Sequence, residues 1–226
     1  MDSSTGERPP WSLRTIEPAN DRQHTHTAVL LHGRDNNCHD FASEFFESEI
    51  STVPRPRTFQ TLFPSFKWVF PGAFPIPSDR FSTPLTQWFD IWSVENPGER
   101  PKIQEAGLRQ SVSFIRKVIA DESRLVPRNC VYIGGISQGF VTAVAAYLAD
   151  VQRLGGLLGF LSRAYPALAI YGGSDREPLS TSMSDYVGEI EATPRPHRPR
   201  NRRPDCSSTE RPSFARCFVQ HGQSER

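Results

Sequence analysis

The feature that most constrains this chain is a short apolar run that ends in a glycine-flanked serine and passes at once into an alanine-rich segment. Val131-Tyr132-Ile133 predicts a buried strand, Gly134-Gly135-Ile136-Ser137-Gln138-Gly139 a tight turn, and residues 140–149 a helix. Strand, Gly-x-Ser-x-Gly and helix in that order form a nucleophile elbow. Small residues on either side of the serine let the backbone turn sharply, which pushes the hydroxyl out at the carboxyl edge of a sheet. The helix that follows aims its first backbone N–H groups at any negative charge developing beside that hydroxyl. The five-residue match alone is also what a structural glycine-rich turn with an incidental serine would show. Its place between a strand and a helix makes it informative.

The alternation recurs along the chain. Ala28-Val29-Leu30-Leu31, stopped by His32-Gly33, and Trp68-Val69-Phe70, stopped by Pro71-Gly72, are brief continuous apolar runs of the kind buried on both faces of a parallel sheet. Residues 40–48 have helical content with Phe41 and Phe45 at i, i+4. Leu108, Val112, Ile115 and Ile119 predict one face of a helix over 103–122 that ends before Pro127. A further apolar run spans 154–161, another strand is expected at 167–171, and residues 74–100 read as a long loop. Strands alternating with helices give an α/β class with a mostly parallel central sheet flanked by helices.

At 226 residues and 37% hydrophobic content the chain supports one full core. Residues 1–26 read as a polar N-terminal arm, 27–190 as the α/β domain, and 191–226 as an Arg/Pro-rich tail expected to be disordered, where the sheet pattern fails and a fold incomplete at the C-terminus is left open. Residues 193–226 carry eight Arg and three acids, so the formal net charge of +1 hides a tail of +5 on a body of −4. The tail lacks interleaved aromatics and any recognition fold, so no nucleic-acid partner is expected.

Cys38, Cys130, Cys206 and Cys217 have no Cys-x-x-Cys spacing, which argues against a zinc site or a disulfide framework and for free thiols. No apolar stretch reaches the ~18 to 20 residues of a membrane helix. A soluble, cytoplasmic protein is expected, with no metal or organic cofactor implied and its oligomeric state left open.

Five elements in order carry a family likeness: Leu30-Leu31-His32-Gly33-Arg34, Phe70-Pro71-Gly72-Ala73, Gln87-Trp88-Phe89-Asp90, Glu105-Ala106-Gly107-Leu108 and Gly134-Gly135-Ile136-Ser137-Gln138-Gly139. Over residues 27–161 the chain resembles the phospholipase/carboxylesterase group of α/β hydrolases, which includes the acyl-protein thioesterases, and fungal members in particular. The resemblance implies an α/β-hydrolase fold and a serine esterase acting on carboxylic esters or S-acylated proteins. It implies Ser137 as nucleophile and the backbone amides of Arg34 and Gln138 as the oxyanion hole. It also implies an acyl-binding groove near the aromatic-rich loop, where Trp88 and Phe89 are the candidate lining. Asp35 departs from the family pattern, which commonly has glycine there.

A serine at its ordinary pKa needs a base, and in α/β hydrolases the acid and then the histidine follow the serine in the chain. Asp175, after the expected strand and Gly172-Gly173, is the first candidate acid, and Asp185 the second. Downstream of Ser137 the chain offers only His197, inside the Pro/Arg run, and His221, which follows Phe218-Val219 and is the candidate base. His32 precedes the serine and is expected to hold its turn by hydrogen bonds. The alternative to a working enzyme is an inactive hydrolase-fold binding module whose C-terminal third has been lost or replaced.

Overall fold

The 28–31 run is apolar throughout because it is covered on both sides. In the computed structural model, which describes residues 11–48, 58–150 and 153–160 together with 168 and 171, this run belongs to a central strand. The elements in chain order are β1 (Ser12–Ile16), β2 (His26–Leu31), α1 (Cys38–Glu47), α2 (Phe59–Leu62) and β3 (Phe66–Gly72). They continue with β4 (Pro75–Pro77), β5 (Pro84–Thr86), α3 (Lys102–Glu122), β6 (Val131–Ile136), α4 (Gln138–Ala149) and β7 (Gly156–Phe160). The main sheet has the order β1-β3-β2-β6-β7. β3, β2, β6 and β7 are parallel and β1 is antiparallel to β3.

Successive strand residues point to opposite faces, so β2 feeds two cores. Val29 and Leu31 pack with Leu108, Val112, Ile115 and Ile119 of α3 and with Val141 and Ala145 of α4. Ala28 and Leu30 pack with Phe41 and Phe45 of α1 and with Phe59, Trp68 and Phe70. α3 puts its i, i+4, i+7, i+11 stripe against the sheet, as its spacing requires. α1 starts at Asn37, whose side chain accepts from the N–H groups of His39 and Asp40 and so satisfies two of the first turn's orphan donors.

Three expectations are adjusted. Part of the polar arm is β1, an edge strand that pairs Ser12 to Ile16 with Gly72 to Trp68. The long loop holds a small hairpin, β4 with β5, separate from the main sheet. Cys38 is a buried free thiol, whereas Cys130 is disulfide-bonded. No helix among the described residues is long and apolar enough to cross a membrane.

Candidate active site

Ser137 sits between β6 and α4 with φ 52° and ψ −122°. Positive φ is uncommon for a residue with a Cβ and persists only where the surroundings enforce it, at a cost of about 1–3 kcal/mol. The enforcement comes from the flanking glycines. A Cβ on Gly135 would lie 2.5 Å from the carbonyl oxygen of Leu31, and one on Gly139 would fall onto the carbonyls of Leu31 and His32. The elbow is thus pressed against the end of β2, and only hydrogen fits between them. The Ser137 side chain does not cap α4, so its hydroxyl is not drawn into the helix's own hydrogen bonding.

The loop after β2 faces the elbow directly. A Cβ at Gly33 would be 3.8 Å from that of Ser137. His32, 0% exposed, fixes this loop: its Nε2 accepts from the Ala73 N–H at 3.0 Å, so Nδ1 carries the proton and donates to the Gly33 carbonyl at 2.6 Å. Burial holds the imidazole pKa below its ordinary 6.5, against the opposing pull of the Gly33 contact, and the ring stays neutral. The Asp35 N–H donates to Thr86 in β5 at 2.8 Å, tying the loop to the small hairpin.

Asp35 has φ 61°, the left-handed conformation that glycine adopts freely and that aspartate tolerates better than most residues. Its side chain is 58% exposed, with the carboxylate 3.7 Å from the Arg34 guanidinium. The charge that departs from the family pattern is therefore turned to solvent and partly countered by its neighbour.

Ser137 opens into a cavity of about 250 Å³ lined on the apolar side by Phe41, Ile91, Val94 and Ile136 and on the polar side by Arg34, Asn36 and Glu44. The Gln138 backbone N–H belongs to the first turn of α4, where N–H groups have no intrahelical acceptor, and Arg34 sits on the loop opposite. Trp88 and Phe89 are placed beneath the elbow in the main core, 1% and 0% exposed, rather than in this cavity. Asp175 and His221 lie outside the described residues, as do Asp185, His197 and the Arg/Pro-rich tail. Among the described residues no group of three or more His, Cys, Asp or Glu is placed to hold a metal ion.

Sequence reasoning missed the side chain of Gln138, which the elbow motif treats as a variable position. It accepts from the Trp88 N–H at 2.9 Å and donates to the Phe89 carbonyl at 2.7 Å. A long polar side chain heading the mostly apolar helix start Gln-Gly-Phe-Val-Thr-Ala-Val was the available signal.

The profile of the Phospholipase/Carboxylesterase family matches residues 14–175. The chain belongs to this family. Its fold is accordingly the α/β-hydrolase fold, with the elbow at the carboxyl edge of the parallel strands. Among related members, acyl-protein thioesterase 1 of Cryptococcus neoformans is 26% identical over 151 residues, covering 66% of this chain and 59% of that protein. Acyl-protein thioesterase 1 of Yarrowia lipolytica is 30% identical over 138 residues, covering 60% and 56%. The crystal structure of Zea mays acyl-protein thioesterase 2 superposes with a TM-score of 0.48 at 22% identity over 71% of each chain. The chain spans under two thirds of the length of these two fungal thioesterases.

Proposed function

We propose that this phospholipase/carboxylesterase family member is a serine hydrolase that cleaves carboxylic esters or S-acyl thioesters through an acyl-enzyme on Ser137. The observation that carries the reading is the backbone of Ser137, held at φ 52° by glycines that abut the end of β2. A fold maintains a strained serine at the head of a helix where the strain has a use.

Ser137 Oγ attacks the acyl carbonyl carbon and its proton passes to the base, for which His221 is the candidate, oriented by the carboxylate of Asp175. The carbonyl oxygen becomes an oxyanion between the N–H groups of Arg34 and Gln138, beside the positive end of α4. Collapse expels the alcohol or thiol, which takes the proton from the base. Water then repeats the sequence on the acyl-enzyme to release the acid. Phe41, Ile91, Val94 and Ile136 make the apolar side of the cavity, which suits an acyl chain. A thioester carbonyl is served by the same geometry, and S-acylated proteins are the substrates that the names of the relatives suggest.

Fluorophosphonate labelling of the full chain tests the reading, together with turnover of matched octanoyl ester and thioester substrates. Wild type should label and turn over both, and Ser137→Ala should lose labelling and at least about 10³-fold in kcat. Labelling that is absent, or identical in Ser137→Ala, would refute it and leave a non-catalytic hydrolase fold. His221→Ala and Asp175→Asn then test the two assigned partners, each expected to cost more than about 10³-fold while labelling of Ser137 slows.

A further inference from the structure

Trp88 touches both halves of the proposed oxyanion hole while lining neither it nor the cavity. Its indole N–H donates to the carbonyl oxygen of His32, two residues before Arg34, at 2.8 Å. Its backbone N–H donates to Gln138 Oε1 at 2.9 Å, and Gln138 Nε2 donates in turn to the Phe89 carbonyl at 2.7 Å. An amide that meets an N–H on one side and a carbonyl on the other can be seated only one way round, so its partners fix the Gln138 side chain. Trp88 and Gln138 are each 1% exposed, and water does not compete for these bonds.

The Trp88 segment is itself anchored from behind. Ser111 Oγ on α3 donates to the Trp88 carbonyl at 2.6 Å, and the His32 ring lies 5.0 Å from the indole. The Asp90 carboxylate accepts from Gln87 Nε2 at 3.2 Å and from the Asp79 N–H at 2.8 Å. The loop is therefore a rigid piece with one contact to each side of the elbow.

The two donors need such a piece. Arg34 follows β2, Gln138 follows β6, and the ladder between these strands runs out at the Leu31–Gly135 pair. Past that pair the ladder no longer sets the relative placement of the two N–H groups, and the Trp88 hydrogen bonds add to the close backbone approach of Gly139 to His32 in holding it. An oxyanion hole tolerates little error, because its donors must reach 2.7–3.1 Å from one developing charge. We propose that Trp88, through its indole N–H and through the Gln138 side chain, is a positioning residue that sets the separation of the Arg34 and Gln138 N–H groups. The proposal rests on Ser137 being the nucleophile. It adds that a residue about fifty positions from the elbow in sequence controls transition-state stabilisation without touching substrate.

The test uses the full chain and two brace variants. Trp88→Phe keeps most of the ring and removes the indole N–H. Gln138→Met keeps the side-chain length and removes both amide bonds. Phe66→Leu, in the core on the other face of the sheet and beside the start of β2, supplies a destabilised control. Readouts are kcat and KM for an octanoyl ester and the Ki of an octyl trifluoromethyl ketone. In that adduct a bond forms between Ser137 Oγ and the ketone carbon, the serine proton goes to the base, and the carbonyl π pair becomes an oxyanion in the hole.

Each brace variant should lower kcat about 10- to 100-fold with KM within about threefold, and raise Ki by the factor that kcat falls. Phe66→Leu should lower Tm and keep kcat within about threefold. Brace variants that keep kcat within threefold, or that raise KM alone, overturn the brace while Ser137-dependent turnover of the wild type stands. Wild-type turnover that is absent or indifferent to Ser137→Ala overturns the hydrolase reading and the brace with it.

Discussion

Adding one methyl group at Gly135 should damage the site far more than its size suggests. An alanine Cβ there would lie 2.5 Å from the Leu31 carbonyl oxygen, 2.9 Å from the Gly139 carbonyl carbon and 3.1 Å from Leu31 Cβ. Ordinary contact begins near 3.4 Å, so β6 and β2 must part by close to an ångström at the pair where their ladder ends. Neither clashing backbone group can swing aside as a flexible side chain would. Overpacking of this kind costs about 1–3 kcal/mol. For a chain of this length that is roughly 2–12 °C in Tm. The same displacement separates the loop of Arg34 from the elbow, and a 1 Å misplacement costs on the order of 10²-fold in rate. Gly33→Ala is the matched control: its Cβ would meet Ile136 Cγ2 at 3.7 Å and Ser137 Cβ at 3.8 Å, both ordinary contacts. Thermal denaturation and fluorophosphonate labelling rates of the two variants decide the matter. If Gly135→Ala melts and labels like wild type, or if Gly33→Ala melts as low as Gly135→Ala, the close-approach argument fails.

Other perturbations separate the roles of buried polar groups. Lys67 Nζ pairs with Glu122 Oε1 at 2.8 Å while Thr27 Oγ1 donates to Glu122 Oε2 at 3.2 Å, and both charged side chains are almost fully covered. Lys67→Met strands the carboxylate and should cost about 3 kcal/mol, whereas Lys67→Met/Glu122→Leu should recover at least half of it in urea denaturation. A double variant no more stable than the single one would contradict this. His32 is kept neutral by burial and His24 by burial and the nearby Lys67, so both have folded pKa values below 6.5. The unfolded chain then binds more protons below pH 6.5. Their stabilisation is complete above that pH and declines as pH falls, by at most about 1.4 kcal/mol per unit for each group. In a His24→Gln background, His32→Gln should flatten the fall in unfolding free energy between pH 6.5 and 5, and unchanged slopes would count against a buried neutral His32. Asn37→Ala removes the cap of α1 and should cost about 1 kcal/mol with no change in labelling of Ser137, read from Tm and probe rate together.

How much was legible in the sequence follows from how far apart the interacting residues lie. β2 and β3 were readable because covering on both faces leaves no polar residue in the run, and α3 because its stripe repeats locally. β1 was not: Ser12-Leu13-Arg14-Thr15 is exposed, and the strand exists through backbone pairing to β3 more than fifty residues away, which leaves no mark on side-chain pattern. The β4–β5 hairpin is two three-residue strands rich in proline, a composition that reads as loop.

The same rule divides the site. The elbow is contained within five residues, so its glycines and its serine announced themselves together. Aromatic side chains in a loop beside an elbow invite the reading of a ligand surface, and Trp88 and Phe89 drew it. Their burial follows from partners that no local pattern encodes, Ser111 on α3 and Gln138 on α4. Asp35 shows the converse. In the sequence it stood out only as a departure from the family's glycine, and its backbone conformation shows why the position favours glycine: φ 61° is what the turn demands, and the charge of the residue meeting that demand is directed to solvent. At this site backbone geometry constrains residue choice more tightly than charge does, and the Gly135 and Gly33 variants measure that constraint directly.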